Sequence, residues 1–317
     1  MLIIGAAGRN VGKTEFACEL IRRHAATQPV FGIKVTTVHG HGGPCSRGGQ
    51  GCGVCTSLTE NYCITEEHQA SGRKDTSRML RAGAQGVWWL RVLREHIEAG
   101  LREVLERIPA HALIVCESNT ARTVLEPGLF LVVRETGAAA MKPSCRVVFD
   151  QADRVVEFSG HGWDFQPAEV AVAGRRWVLR PSATAVILAG GESLRMGSDK
   201  SMLEVDGQPM IGRVADQLAF FPERLIGSND PARFEFLRIP VVPDRIPGRG
   251  PLMGILSCVD RAAFDLCFVT GCDIPILNPR FILHLLAQAD EHDIVMPRFS
   301  DGRVEPLLGV YRKTVVP

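Results

Sequence analysis

Two stretches of this chain each join glycines to a basic residue directly after a short apolar run, a combination that can hold phosphate. The first is Ala7-Gly8-Arg9-Asn10-Val11-Gly12-Lys13-Thr14, which follows Leu2-Ile3-Ile4. Backbone N–H groups of such a loop, and of the helix that opens at its end, can surround phosphate oxygens. Gly12 lets the main chain come close. Lys13 puts a point charge on the terminal phosphates, and the Thr14 hydroxyl is a ligand for Mg²⁺. The run fits the P-loop pattern with alanine in place of the first glycine, so nucleotide binding is predicted at Asn10, Val11, Gly12, Lys13 and Thr14. Turnover needs, in addition, an acid at the end of a second strand. Glu117, after Leu113-Ile114-Val115-Cys116, is the candidate, and a plain polar strand terminus is the alternative.

The second stretch is Leu188-Ala189-Gly190-Gly191-Glu192-Ser193-Leu194-Arg195-Met196-Gly197-Ser198-Asp199-Lys200. Adjacent glycines let main-chain amides reach a base or a phosphate. Arg195 and Lys200 bring two fixed cations to the same loop, which a triphosphate attacked at its α-phosphorus needs on its developing negative oxygens. Thirteen residues of this composition exceed what a simple turn requires. Asp273 follows a third apolar run, Leu266-Cys267-Phe268-Val269-Thr270. A carboxylate at the carboxyl edge of an α/β sheet can hold Mg²⁺ between phosphates. The competing role for Asp273 is a helix N-cap ahead of Pro275.

A third constellation is made of sulfur. Cys45, Cys52, Cys55 and Cys63 fall in one stretch with six nearby glycines, Gly42, Gly43, Gly48, Gly49, Gly51 and Gly53. Four thiolates can close a zinc site or hold an iron–sulfur cluster. The spacing matches neither a standard zinc pattern nor the ferredoxin runs, and His39 and His41 are alternate ligands. Free thiols in a loop are the competing reading. Cys18, Cys116, Cys145, Cys258 and Cys267 fall in predicted helices or strands and read as small core residues.

These residues need elements to position them. In the first half, strands are predicted at 2–4, 32–38, 87–92, 112–116, 129–133 and 147–158, and helices at 13–26 and 94–107. In the second half, strands are predicted at 184–188, near Leu203, and at 224–226, 266–270 and 293–296, with helices at 210–220, 251–261 and 279–289. Alternation of this kind predicts a mainly parallel sheet in each half. Two α/β domains follow, 1–178 with the cysteine-rich loop 39–63, and 183–317. At 45% apolar and 22% charged residues, with net charge +1, the chain carries no charge excess that would favour nucleic acid or a membrane surface. The start, Met1-Leu2-Ile3-Ile4-Gly5, has no basic segment or long apolar run, so it is not read as a signal peptide, and a cytoplasmic protein is expected.

The second glycine loop matches in full the L-A-G-G-x-S-x-R-M-G-x-D-K signature of the molybdenum cofactor guanylyltransferases, commonly called MobA. The resemblance continues at Val205-Asp206-Gly207-Gln208-Pro209-Met210, Pro243-Asp244, Gly250-Pro251-Leu252-Met253-Gly254-Ile255, Gly271-Cys272-Asp273-Ile274-Pro275 and Glu305-Pro306-Leu307. It implies a Rossmann-like, three-layer nucleotidyltransferase domain that transfers GMP from MgGTP to molybdopterin or Mo-molybdopterin and releases pyrophosphate. By that resemblance Leu188, Ala189, Gly190 and Gly191 meet the guanine and ribose, and Lys200 meets the phosphates. Asn229 lies at the nucleotide edge, Asp244 helps to recognise the base, and Asp273 holds Mg²⁺. Arg195, Lys200 and Asp273 are the catalytic set. The family continues past a segment like Pro306-Leu307 through further helices, so this domain is expected to be shortened at its C-terminus. The first half resembles the P-loop accessory protein of the same synthesis, commonly called MobB, through the loop 7–14, Lys74-Asp75-Thr76-Ser77-Arg78, Ala82-Gly83-Ala84 and the Glu117 strand. That implies a P-loop NTPase-like parallel sheet that binds GTP; the cysteine loop departs from that family. Molybdoenzyme maturation proteins are the implied partners. Cytidylyl transfer from CTP, or a nonenzymatic carrier of GTP and metal, are the alternatives.

Overall fold

The computed structural model describes residues 1–38, 58, 60–190 and 200–316, with the backbone alone at residue 200. Two compact units result, Met1–Leu179 (unit 1) and Arg180–Pro317 (unit 2).

Unit 1 is built on a seven-stranded sheet. Its strands are β1 (Leu2–Ala6), β2 (Val30–Val38), β3 (Tyr62–Glu66), β4 (Gly86–Leu93), β5 (Leu113–Glu117), β6 (Leu129–Glu135) and β7 (Arg154–Phe158). They lie in the order β3-β4-β2-β5-β1-β6-β7, all parallel to their neighbours except β3, which runs antiparallel to β4. Four helices accompany them: α1 (Lys13–Ala25), α2 (Asp75–Arg81), α3 (Ile97–Glu106) and α4 (Pro143–Arg146). Successive side chains of a strand point to opposite faces, and β1 shows the consequence. Leu2 and Ile4 join Phe16, Leu20 and Met79 in one core, whereas Ile3 joins Leu101 and Val104 in another. A strand covered on both faces reads as a continuous apolar run, which is why β1 and β6 are legible without alternation. Each fully buried Leu or Ile in these layers contributes roughly 2 kcal/mol.

The predicted strand 147–158 is only half a strand. Pro143 opens the helical turn α4, residues Phe149–Gln151 form a 3-10 turn, and β7 begins at Arg154. The Asp153 carboxylate accepts a hydrogen bond from the Phe130 N–H at 2.7 Å, which pins the chain where it turns into the sheet. The predicted helix 94–107 opens with a 3-10 turn at Arg94–His96 before α3. The sequence reading did not mark β3, α2 or a closing hairpin of β8 (Val170–Ala173) and β9 (Arg176–Leu179). That hairpin reverses at Gly174, at φ 61°, and Trp177 on β9 is fully buried against His24. Residues 175–179, read as the approach to a domain boundary, therefore carry a strand of unit 1.

Unit 2 has strands β10 (Ala183–Leu188), β11 (Glu204–Val205), β12 (Gln208–Pro209), β13 (Glu223–Gly227), β14 (Val241–Val242), β15 (Leu266–Gly271), β16 (Ile294–Val295) and β17 (Leu308–Arg312). Its helices are α5 (Met210–Gln217), α6 (Pro251–Arg261) and α7 (Pro279–Gln288). The main sheet has the order β14-β13-β10-β15-β17-β16, parallel as far as β15, with β17 antiparallel to both β15 and β16. The sequence reading did not mark β17. The small pair β11–β12 turns at Asp206 and Gly207, at φ 52° and 77°, as a two-residue hairpin with both central residues left-handed demands. Helix α5 stops at Gln217, short of the predicted 220, and Phe220 and Phe221 beyond it are buried.

Candidate functional site

In unit 2, β10 is the point from which the sheet grows in both directions. The chain moves from β10 to β13 and β14 on one side, then crosses to β15 on the other. A crevice opens at the carboxyl ends of strands where the order reverses in this way. Main-chain hydrogen bonds fix that edge: Ala189 N–H donates to Gly227 at 2.9 Å and Cys272 N–H to Leu188 at 3.0 Å. Ser228 N–H donates to Val242, also at 3.0 Å. Gly227 packs closely there: a Cβ would lie 2.7 Å from Leu188 Cδ2 and push that side chain aside.

Asn229 and Asp244 lock onto each other across this edge. Asn229 Nδ2 donates to Asp244 Oδ2 at 2.9 Å, and Asp244 N–H donates to Asn229 Oδ1 at 2.8 Å. Gly254 on α6 lies beneath them; a Cβ there would meet Leu188 Cδ2 at 3.3 Å and Asp244 Oδ1 at 3.4 Å. Asp273 stands two residues beyond β15, with its Oδ1 2.9 Å from where a Gly271 Cβ would be. Residues 274–278 are not helical, and the N-cap of α7 is Asn278, whose side chain accepts from Arg280 N–H. The helix-cap role considered for Asp273 is therefore set aside. Leu188, Ala189, Gly190, Asn229, Asp244 and Asp273 thus stand at the ends of four adjacent strands, β10, β13, β14 and β15, whereas Gly191 and Arg195, and the Lys200 side chain, lie outside the described residues.

Unit 1 carries a second polar centre. Helix α1 starts at Gly12, whose φ of 73° is left-handed, and Asn10 is left-handed as well, at φ 57°. Val11 is buried beneath the loop. The loop opens on a cavity of about 880 Å³. Behind it, fully buried Glu117 at the end of β5 receives a hydrogen bond from Lys34 Nζ at 2.5 Å and lies 3.3 Å from Lys13 Nζ. Lys34 also pairs with Asp75 at the start of α2, at 2.6 Å. Burial opposes ionisation of Glu117. Lys13 and Lys34, with hydrogen bonds from Lys34 and Thr14, outweigh it and hold the carboxyl at about 2. Burial pushes Lys13 below the usual lysine range against the pull of Glu117. For Lys34, burial is overcome by Glu117 and Asp75, and its amine is raised. Asn119, two residues past Glu117, grips the base of the loop: Oδ1 accepts from Ala6 N–H at 2.7 Å, and Nδ2 donates to the Ala6 carbonyl at 3.0 Å.

Lys34 and Asn119 escaped the sequence reading. Lys34 left a signal, a lone charge inside the apolar run of β2. Asn119 left none. Of the cysteine constellation, Cys45, Cys52 and Cys55 lie outside the described residues, while Cys63 sits on β3 rather than in a loop. Arg91 donates to its sulfur at 3.0 Å. Cys18, Cys116, Cys145, Cys258 and Cys267 are all buried, and burial pushes the Cys116, Cys258 and Cys267 thiols up to about 12.

The family described as "MobA-like NTP transferase domain" matches residues 185–317. A relative from Pelotomaculum thermopropionicum, "Probable molybdenum cofactor guanylyltransferase", is 42% identical over 41% of this chain and 64% of its own length. Another of that name, from Carboxydothermus hydrogenoformans, is 34% identical over 42% of this chain and 68% of its own. The chain thus spans about two thirds of the length of these relatives. Among solved structures, the molybdopterin-guanine dinucleotide biosynthesis protein A of Archaeoglobus fulgidus is similar over 41% of this chain and 68% of its own, at 24% identity and a TM-score of 0.37.

Proposed function

Through its C-terminal unit the chain belongs to the molybdenum cofactor guanylyltransferase family, a family of nucleotidyltransferases, and from that premise we propose that unit 2 transfers GMP from MgGTP to molybdopterin or Mo-molybdopterin. The observation that supports this best is the gathering of the Asn229–Asp244 pair and Asp273 at the carboxyl ends of β13, β14 and β15, around the end of β10. A terminal phosphate oxygen of the pterin forms the new bond to the α-phosphorus, and the bond to the bridging oxygen breaks as pyrophosphate leaves. The chain's residues supply position and charge rather than a covalent intermediate. Leu188, Ala189 and Gly190 offer main chain to the guanine and ribose, the Asn229–Asp244 lock orders the base side, and Arg195 and Lys200 carry the cations for the phosphates.

Asp273 suits Mg²⁺. Its carboxylate is exposed at the strand edge, and no cluster of three metal-donor side chains occurs among the described residues. A single carboxylate is the donor set of a Mg²⁺ that keeps waters and takes its other ligands from phosphates. When bound, the ion neutralises phosphate charge as the α-phosphorus is attacked.

Unit 1 is proposed to bind a second GTP on its glycine loop as an accessory domain. Thr14 and Glu117 suit Mg²⁺ there, since Glu117 Oε1 is buried with no hydrogen-bond partner among the described residues. Pyrophosphate release, measured with GTP or CTP in the presence of molybdopterin, tests the assignment. GTP is expected to be used over CTP, and Lys13→Ala to leave the rate within about twofold, because its charge belongs to the other nucleotide loop. Loss of turnover in Lys13→Ala, or a preference for CTP, overturns the reading.

The cysteine stretch is proposed to hold Zn²⁺ or an iron–sulfur cluster through Cys45, Cys52, Cys55 and Cys63. Protein purified anaerobically is expected to retain metal through gel filtration and to lose it in Cys52→Ser. Metal-free protein in which all four thiols titrate freely would sink the idea.

A further inference from the structure

Among the cations that line the unit 1 cavity, one from outside the glycine loop is tied to it. Lys142 lies after β6, just ahead of α4, half-buried at the cavity wall. Its backbone N–H donates to the Ala7 carbonyl at 2.9 Å, and its amino group donates to the Gly8 carbonyl, so both ends of the residue are tied to the glycine loop. The neighbouring Ser144 is held in turn by Asn119 Nδ2 at 3.1 Å. An ammonium has three donors, and one is spent on Gly8. Three other cations of the cavity are committed to carboxylates. Lys34 is paired with Asp75 and Glu117, Lys13 with Glu117, and Arg78 with Glu15. Among the described residues Lys142 pairs with no carboxylate, although it shares the cavity with Arg9, Lys13 and Lys34.

We propose that Lys142 is a phosphate-contacting cation of the unit 1 site, fastened to the glycine loop from outside the motif, and that it couples anion binding there to proton uptake. The proposal rests on reading residues 8–14 as a phosphate loop. The titratable and charged groups that act on Lys142 are Lys13 on α1, Arg9 in the loop, Lys34 on β2 and Cys145 on α4. Burial, then Lys13, Arg9 and Lys34, push its amine down to about 8, with Cys145 opposing. A polyphosphate supplies the negative charge that this cluster lacks and restores the amine to its ordinary range near 10.4. The free site then enters the alkaline range deprotonated, while the bound site keeps its proton. Affinity is present in full below pH 8 and declines as pH rises, by roughly tenfold between pH 7 and 9.

The four tryptophans make this measurable on the full chain. Trp88, Trp89, Trp163 and Trp177 all belong to unit 1, so their fluorescence reports on that unit and not on the nucleotidyltransferase unit. Trp163 Nε1 lies 3.1 Å from where a Gly12 Cβ would be. Titration with GTP and Mg²⁺ from pH 6.5 to 9.5 is expected to show the tenfold decline in the unaltered protein. Lys142→Arg, whose charge persists throughout this range, should bind as tightly at pH 7 and stay flat to pH 9; Lys142→Met should be weaker at pH 7 and flat. A wild-type slope in Lys142→Arg overturns the proposal and moves the proton to Lys13, whose amine burial also lowers. Binding that Lys13→Ala abolishes, with a slope indifferent to position 142, defeats this inference and leaves the phosphate loop standing. No fluorescence response at any pH defeats both.

Discussion

Asp273→Asn is expected to cut the rate of pyrophosphate release by two to three orders of magnitude while leaving the melting temperature unchanged. The substitution keeps the shape and one acceptor oxygen but removes the charge. Loss of one electrostatic partner of a developing transition-state charge costs about 10²–10³ in rate. The stability cost is small for a physical reason. Asp273 is exposed at the end of β15, and most surface substitutions stay within about 0.5 kcal/mol. Because α7 takes Asn278 as its cap, no helix end is lost. Steady-state release with saturating GTP and molybdopterin, alongside a thermal melt, gives both numbers. A rate within threefold of wild type shows that the carboxylate takes no part in the reaction. A fall in melting temperature that tracks the fall in rate returns Asp273 to a structural role. Lys200→Ala, in the same assay, should lose a similar factor, because a triphosphate deprived of a fixed cation has no other charge of that reach in the 188–200 loop except Arg195.

What the sequence disclosed, and what it hid, follows from how each residue is buried. Strands β1, β5, β6, β10 and β15 are continuous apolar runs because helices or loops cover both their faces, and such runs are visible in one dimension. β3 is an edge strand, Tyr-Cys-Ile-Thr-Glu, with no residue fully buried, so nothing in its composition separates it from a loop. β17 is antiparallel and joins the sheet by pairing with β15 and β16, a partnership the linear pattern cannot show. The stretch 147–158 misled because Val147, Val148 and Phe149 look like the start of a strand. Yet Val147 is exposed, and Pro143 has already begun a helical turn.

The same contrast holds at the sites. Asp273 is legible because it follows an apolar strand at the edge where ligands gather; Asn229 and Asp244 come from family resemblance alone, and their lock requires coordinates. The Lys34–Asp75–Glu117 cluster joins positions 41 and 83 residues apart, because β2 pairs with β5 and α2 starts beside Lys34. Lys142 gives no pattern at all; its importance comes from what it touches.

The buried carboxylate at 117 sets the second large effect. Glu117→Ala is expected to destabilise unit 1 by about 3–5 kcal/mol, the usual cost of removing one partner from a buried charge cluster, because it strands the ammoniums of Lys13 and Lys34 in a poorly solvated site. Glu117→Gln should cost less, since the amide still accepts a hydrogen bond from Lys34. The pH dependence separates charge from shape. In the folded chain Glu117 titrates at about 2, against an ordinary value of 4.5, so the unfolded chain takes up the proton first as the solution is acidified. Its contribution to stability is therefore complete above pH 4.5 and is lost as pH falls toward 2, about 3 kcal/mol in all. Urea unfolding followed by tryptophan fluorescence, which sees unit 1 alone, should show the wild type losing roughly 2 kcal/mol more than Glu117→Gln between pH 5.5 and pH 3. Equal losses would mean that the acid titrates alike in the folded and unfolded chain and that Lys13 does not hold its charge. In that event Lys13 would be free to meet phosphate without first leaving a partner. Unequal losses mean that Glu117 is held ionised in the fold by Lys13 and Lys34, so that a phosphate meeting Lys13 competes with a charge already in place.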